Sequence, residues 1–483
     1  MVPPPALRQH LAPPAVYSAA SLPNRTFDFI IVGGETAAGL VLANRLDDPA
    51  VRVLVLEAGT NRLADLRVKI PGIAERSHTW RVLRHHMGIL EYPSRAGMNE
   101  WGALGNPGWW WEEFAPDGPV WASFGNETGY LPYHPAWTQS RGLGRGLFVN
   151  PGAVDPVTKA RSHAGAAYFT PEGAQVSRVV LHSPDGGEGQ VIAREVQFVK
   201  DSLAYTVALT CEVIMVAGAF QSPQGLELSG IGDAARLRAH GIKPVVDLPG
   251  VGENMQDHDI VCFNYERADG MPSGDRARDP AVAAAAMAAY QKDGGALKIP
   301  FVSAFMMCLG FPEDERGQLL KKIDASLADP ILSRMYKKQY PDVFSLGHPG
   351  FFMRILSLPS NPLSRGSVHI YSADPTVPPA IDHAILRHPA DLELDARHSI
   401  WIDKTPETSP FVPFLKKGGQ QLCREPVLSI YHASGTCAMM PREDGGVIDP
   451  RLKIYGTAMC PRGNIQATVF AVAEKATDLI KED

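Results

Sequence analysis

The stretch Asp28-Phe29-Ile30-Ile31-Val32-Gly33-Gly34-Glu35-Thr36-Ala37-Ala38-Gly39 spaces its glycines like a phosphate-cradling turn, and the next apolar run closes on a carboxylate, Glu57. Bare backbone N–H groups at a helix N-terminus hold a pyrophosphate, and an acid at the tip of the following strand accepts hydrogen bonds from ribose hydroxyls. Glu57 lies roughly 20 residues past the glycines, the distance this arrangement needs. The pattern predicts an adenine-dinucleotide site drawing on Gly33, Gly34, Thr36, Ala37 and Glu57. Ala38 is tolerable in the last glycine position, but Glu35 stands where backbone should approach phosphate. A carboxylate about 4 Å from a phosphate charge costs roughly 1 kcal/mol in water and about 4 kcal/mol at an effective dielectric near 20. That is about tenfold to a thousandfold in affinity, and an outward rotation of the side chain avoids most of it.

The elements around the turn are of the required kind. Phe27 to Val32 reads as a buried strand, Leu40 to Leu46 continues with helical spacing, and Val51 to Leu56 is a second strand ending in Glu57. Val191 to Val199 and Ala204 to Val216 read as further strands, preceded by a turn at Gly186-Gly187-Glu188-Gly189. Glu212 to Ala219 is a third buried strand entering a small-residue turn, suited to lie beside the first two. From Asn61 to about Val149 regular patterning fades in a stretch that holds most of the tryptophans, which more often fill a packed wall than a ligand cage. Downstream, Asp279 to Lys292 and Gly317 to Leu332 are helix candidates, and Ser364 to Tyr371 alternates like a half-buried strand.

At 483 residues the chain exceeds what one hydrophobic core organises, so two domains are expected. A net charge of −6 offers no basic surface for nucleic acid. The six cysteines show no CxxC pairing, which disfavours a zinc site and a disulfide framework, and no metal site is expected. No apolar stretch is long enough to span a membrane, and the Pro- and Ala-rich start lacks the form of a signal peptide, so an intracellular placement is expected. The sequons at Asn24 and Asn126 mean little without such a signal. Gly-x-Ser-x-Gly, P-loop and His-Glu-x-x-His patterns are absent, and His78, His85 and His86 lack a ligand pattern.

Five later stretches carry a family resemblance. Gly218-Ala219-Phe220-Gln221-Ser222-Pro223 through Gly232 is similar to the second signature of the glucose-methanol-choline (GMC) oxidoreductases, with Gly225 at an aliphatic position. Leu248-Pro249-Gly250-Val251-Gly252-Glu253-Asn254-Met255-Gln256-Asp257-His258 follows in the family's manner. Tyr431-His432-Ala433-Ser434-Gly435-Thr436 and Gly463-Asn464-Ile465-Gln466-Ala467 resemble the family's catalytic end, and Arg365-Gly366-Ser367 matches as well. The resemblance implies an α/β fold: a Rossmann-like FAD-binding domain from 24–258 and 428–483, and an α+β substrate-binding domain over 259–427.

It also implies FAD as cofactor, a small-molecule alcohol as substrate, His432 as the proton-accepting catalytic base and Asn464 as the group that holds the alcohol oxygen. An imidazole titrates near neutral pH, and a carboxamide positions an oxygen without competing for its proton. Gly218 and Gln466 join the cofactor-binding residues on the same ground. Asp257-His258-Asp259 is read as a segment that packs and connects. The chain departs from the family at Glu35, in the missing Arg-Gly-Lys and Gly-Gly-Ser-Ser arm between Trp80 and Glu91, and in the strand near Tyr455 to Arg462, where the usual Asp-Ala-Ser is not found. Two functions stay open: FAD-dependent oxidation of a primary or secondary alcohol, or a flavin-poor relative that uses His432 for acid–base chemistry alone or is inactive. Oligomeric state is not legible.

Overall fold

The computed structural model describes residues 26–34, 37–46, 48–59, 65–66, 70, 99, 101–110, 146–149, 175–182, 191–271, 279–293, 305–308, 352–357, 359, 362–407, 412–429, 432–457, 460–461 and 466–482. In chain order the first elements are β1 (Thr26–Val32), α1 (Ala37–Arg45), β2 (Val53–Leu56), β3 (Gly146–Val149), β4 (Gln175–His182), β5 (Ile192–Lys200), β6 (Leu203–Met215) and α2 (Gly218–Leu228). Next come β7 (Ile231–Gly232), α3 (Ala234–Ala239), β8 (Val246–Asp247), β9 (Asp259–Glu266), α4 (Pro280–Asp293), β10 (Phe305–Cys308) and β11 (Phe352–Ser357). The chain ends with β12 (Ser367–His369), β13 (Ala380–Asp382), α5 (Pro389–Lys404), β14 (Gln421–Ser429), β15 (Cys460–Pro461) and α6 (Gln466–Glu482).

The principal sheet runs β2-β1-β6-β5-β4, with β15 beside the far half of β6. β1 pairs parallel with β2 and β6, and β15 pairs parallel with β6 at Cys460↔Ile214 and Pro461↔Met215. β6 is long enough to serve two partners, because its first half closes an antiparallel hairpin with β5. Parallel strands covered on both faces need near-continuous apolar sequence. Ile30, Ile31, Val213 and Ile214 supply it and are fully buried against Val41, Leu42 and Ala473. All four parallel strands end at one edge, where α1, α2 and α6 begin, and that edge is where an open α/β sheet binds its ligands.

A second sheet, β11-β9-β14, is antiparallel throughout. Helix α5 packs on it, with Ile402 buried against Phe263 and Tyr265. The fold is thus mixed α/β, a Rossmann-like unit with an α+β layer beside it, as the resemblance implies. β14 ends at Ser429, three residues before His432, so the chain leaves the second sheet close to that histidine.

Several elements lie where the sequence places them, including the helix at Pro280–Asp293. The strand expected over Ser364 to Tyr371 shrinks to β12, because Gly366 bonds to Met255 and the Ile370 N–H goes instead to Glu227 Oε2 at 2.7 Å. β4, the whole second sheet of β11, β9 and β14, and α5 are among the elements that the sequence reading does not place. The helix expected over Gly317 to Leu332 and the turn at Gly186 to Gly189 lie outside the described residues. Trp109 is 1% exposed, donates to the Pro450 carbonyl at 2.9 Å and stacks at a tilt on Trp101 at 5.2 Å, so these two tryptophans form packed wall. No helix among the described residues is long and apolar enough to cross a membrane.

Candidate active site

Gly33 ends β1 with φ +107, a conformation that L side chains rarely adopt, and a Cβ there would run into the Val216 carbonyl. A Cβ on Gly39 would strike the Gly33 carbonyl, so the tight helix–strand contact falls on Gly39, one residue beyond the fingerprint's last position at Ala38. Gly34 donates its N–H to Glu57 Oε2 at 2.6 Å, and Gly59 donates to Oε1 at 2.6 Å. The Glu57 carboxylate is therefore fixed at the tip of β2, where the fingerprint puts its ribose-binding acid. At the end of β6, Gly218 opens α2 with φ +83, and a Cβ there would meet nothing within 4 Å. The helix N-cap, Ala217, makes no side-chain cap hydrogen bond. Two glycine-lined helix starts on adjacent parallel strands, with an anchored carboxylate beside them, fit an adenine dinucleotide such as FAD.

Among the other candidate cofactor residues, Ala37 opens α1 and Gln466 opens α6. Thr36 lies outside the described residues, as do Glu35 and the candidate catalytic Asn464.

His432 follows β14 and is held by a ribbon that enters from far away in sequence. Gln256 and Ser434 exchange both backbone hydrogen bonds at 2.8 Å, an antiparallel bridge. Continued by two residues, that register sets His258 opposite His432. On the ribbon's other side Met255 and Gly366 exchange bonds of 2.9 and 2.8 Å, and Thr436 Oγ1 donates to the Ala219 carbonyl at 2.7 Å. Met255, Val368, Ala219 and Ala433 seal the joint as a small apolar cluster with Phe220. The family-like stretches that contain Ala219, Met255, Gly366 and His432 thus meet here.

Asp257 is the polar hub of this joint. Its Oδ1 accepts the His432 backbone N–H at 2.9 Å, and its Oδ2 accepts from Ser429 Oγ at 2.5 Å and contacts His383 Nδ1 at 3.0 Å. Nδ1 of His258 lies 3.1 Å from Nδ1 of His432, with the rings nearly perpendicular at 78°. Burial, and then the adjoining His258 ring, push the His432 pKa down to about 4 against an opposing pull from Asp257. At neutral pH the ring is uncharged and able to accept a proton.

Asp257 and Asp259 fit the reading of Asp257-His258-Asp259 as a segment that packs and connects, and the His258 ring adds a contact with His432. Asp257 fixes the backbone of His432 and His258 touches its ring, while Asp259 turns into the second sheet. Adjacency in the matched stretch around His258 was the available signal, but nothing local pairs residues 174 apart in sequence.

Two family models, each described as GMC oxidoreductase, match residues 158–260 and 362–473. A dehydrogenase of Monascus purpureus is 29% identical over 614 residues, covering 95% of this chain and 96% of that protein. The alignment is longer than the 483 residues here, so the relative carries internal segments without a counterpart in this chain. An FAD-dependent oxidoreductase from Chaetomium thermophilum superposes with a TM-score of 0.76 at 22% identity, covering 94% of this chain and 99% of that one. A fungal aryl-alcohol oxidase does so at 0.72 and 21%, covering 95% and 99%. At such identities the structural likeness speaks for the fold, while the two matched models speak for ancestry. Over both matched segments the chain is similar to the GMC oxidoreductases, and it is shorter than the Monascus relative.

Proposed function

We propose that this oxidoreductase oxidises a primary or secondary alcohol to the carbonyl compound, with FAD as cofactor and His432 as the base. The observation that carries the reading is His432, whose backbone N–H Asp257 holds and whose imidazole, against the His258 ring, is uncharged at neutral pH. Gly33, Gly34, Glu57 and Gly218 would hold FAD, which would supply a hydride acceptor when bound. The chain supplies the proton chemistry: Nε2 of His432 takes the hydroxyl proton, and Asn464 would hold the oxygen. An uncharged imidazole takes the proton only as the C–H bond begins to break and the oxygen's charge develops, which ties the two events together. The aryl-alcohol oxidase among the structural neighbours makes benzylic alcohols the first substrates to try.

Two measurements decide between this and acid–base chemistry without flavin. The purified protein should be yellow, or become so on incubation with FAD, and its visible band should bleach when benzyl alcohol is added without oxygen. A protein that stays colourless after incubation with FAD would falsify the redox reading and leave His432 to non-redox proton transfer.

A further inference from the structure

The Nδ1 atoms of His258 and His432 are 3.1 Å apart. Two ring nitrogens at that distance share one hydrogen, so one ring donates its Nδ1–H and the other accepts on a bare Nδ1. A neutral imidazole carries a single N–H. The donating ring therefore has a bare Nε2, and the accepting ring keeps its proton on Nε2. The pair presents one bare Nε2 in all, on whichever ring donates the bridging proton.

From this geometry we propose that His258 relays the proton taken by His432. The proposal rests on His432 being the base. A proton bound at Nε2 of His432 moves the bridging proton from Nδ1 of His432 to Nδ1 of His258, and His258, which is only half-buried, then gives up its own Nε2 proton to water. One N–H bond forms and one breaks on each ring, one proton enters the pair and one leaves. The pair ends in the opposite tautomer and resets when a proton travels back. Two features of the site favour the transfer. Burial disfavours charge on His432, so handing the proton on relieves it, and two imidazolium rings in contact would repel, so the pair holds one positive charge at most. Asp257, which His383, Ser429 and the His432 backbone all contact, is the anion that offsets that charge in passing.

His258→Asn keeps an amide that can meet Nδ1 of His432 but cannot carry a proton, while His258→Ala removes the partner. With benzyl alcohol as probe substrate and a redox dye as acceptor, both variants should lose about tenfold or more in kcat at little-changed KM and unchanged flavin content. Added imidazole should restore part of the His258→Ala rate, which a merely structural role would not allow. Nitrogen-15 histidine spectra of the full chain give a readout without substrate: both rings should shift together in one one-proton step. Independent one-proton steps in the two rings, or a His258→Asn enzyme as fast as the natural one, would overturn the relay. His432→Asn separates the two ideas. If it turns over benzyl alcohol normally while the natural chain shows the joint step, the base assignment itself has failed.

Discussion

A pKa near 4 makes His432 an unusual base, since it remains unprotonated across the range in which an ordinary imidazole titrates. The acid limb of kcat/KM for an alcohol should therefore fall near pH 4, with a level profile above about pH 5. Removing His258 deletes the second of the two causes that lower the pKa, so in His258→Ala the limb should move up toward 6.5; a limb fixed at its original pH would mean that burial alone sets it. Linkage gives the same sign in stability. The unfolded chain binds this proton first as pH falls, so the contribution of His432 is intact above about 6.5 and is lost on the way down to about 4. His432→Ala should cut turnover by about 10² to 10⁴ while flavin content, measured by absorbance, stays the same. The sequence marks His432 because it sits inside a recognisable stretch. It marks neither the tautomer pairing with His258 nor the hub at Asp257, because both arise from a bridge between ribbons that only the folded chain brings together.

The dinucleotide turn is legible for the opposite reason, since β1, α1 and β2 follow one another within a few residues and their apolar spacing names them. Gly33 and Gly39 now explain themselves as backbone contacts against Val216 and against each other. Gly33→Ala puts a Cβ both into a positive φ and into the Val216 carbonyl, so it should lower Tm and abolish flavin retention together. Glu35→Gly acts on the ligand alone: if the acid faces the pyrophosphate, FAD affinity should rise by about tenfold to a thousandfold, read by fluorescence titration. No rise would assign weak binding to the segments that the Monascus relative has and this chain lacks. β4 escaped the sequence reading because Gln175-Val176-Ser177-Arg178-Val179-Val180 does not alternate cleanly. Its pairing with β5 bulges twice along the way, and each bulge shifts the side chains across the sheet.

Across the molecule, the second sheet is joined to α5 by a buried pair of acids. Asp259 on β9 and Asp395 on α5 are 2% and 4% exposed, and Ser357 Oγ donates to Asp395 at 3.4 Å. Burial, then the hydrogen bond to Asp395, raise the Asp259 pKa to about 9, and burial raises that of Asp395 as well. The reason is that two carboxylates in contact away from water cannot both be charged, so Asp259 keeps a proton and donates it to Asp395. An unfolded chain binds that proton only below about 4, whereas the fold binds it up to about 9. Between those limits the fold holds more protons, so stability must fall as pH rises. His398, beside them, has its pKa lowered by burial and works in the opposite direction, but only where imidazoles titrate. The comparison is therefore cleanest above about pH 7, where His398 is neutral in both states. Tm should drop between about pH 7 and pH 9 in the natural chain, and the drop should be shallower in Asp259→Asn, whose amide offers Asp395 an N–H that does not titrate. Parallel curves for the two proteins would mean that the acids do not share a proton, and the joint between sheet and helix would then have to rest on the apolar contact of Ile402 with Phe263 and Tyr265.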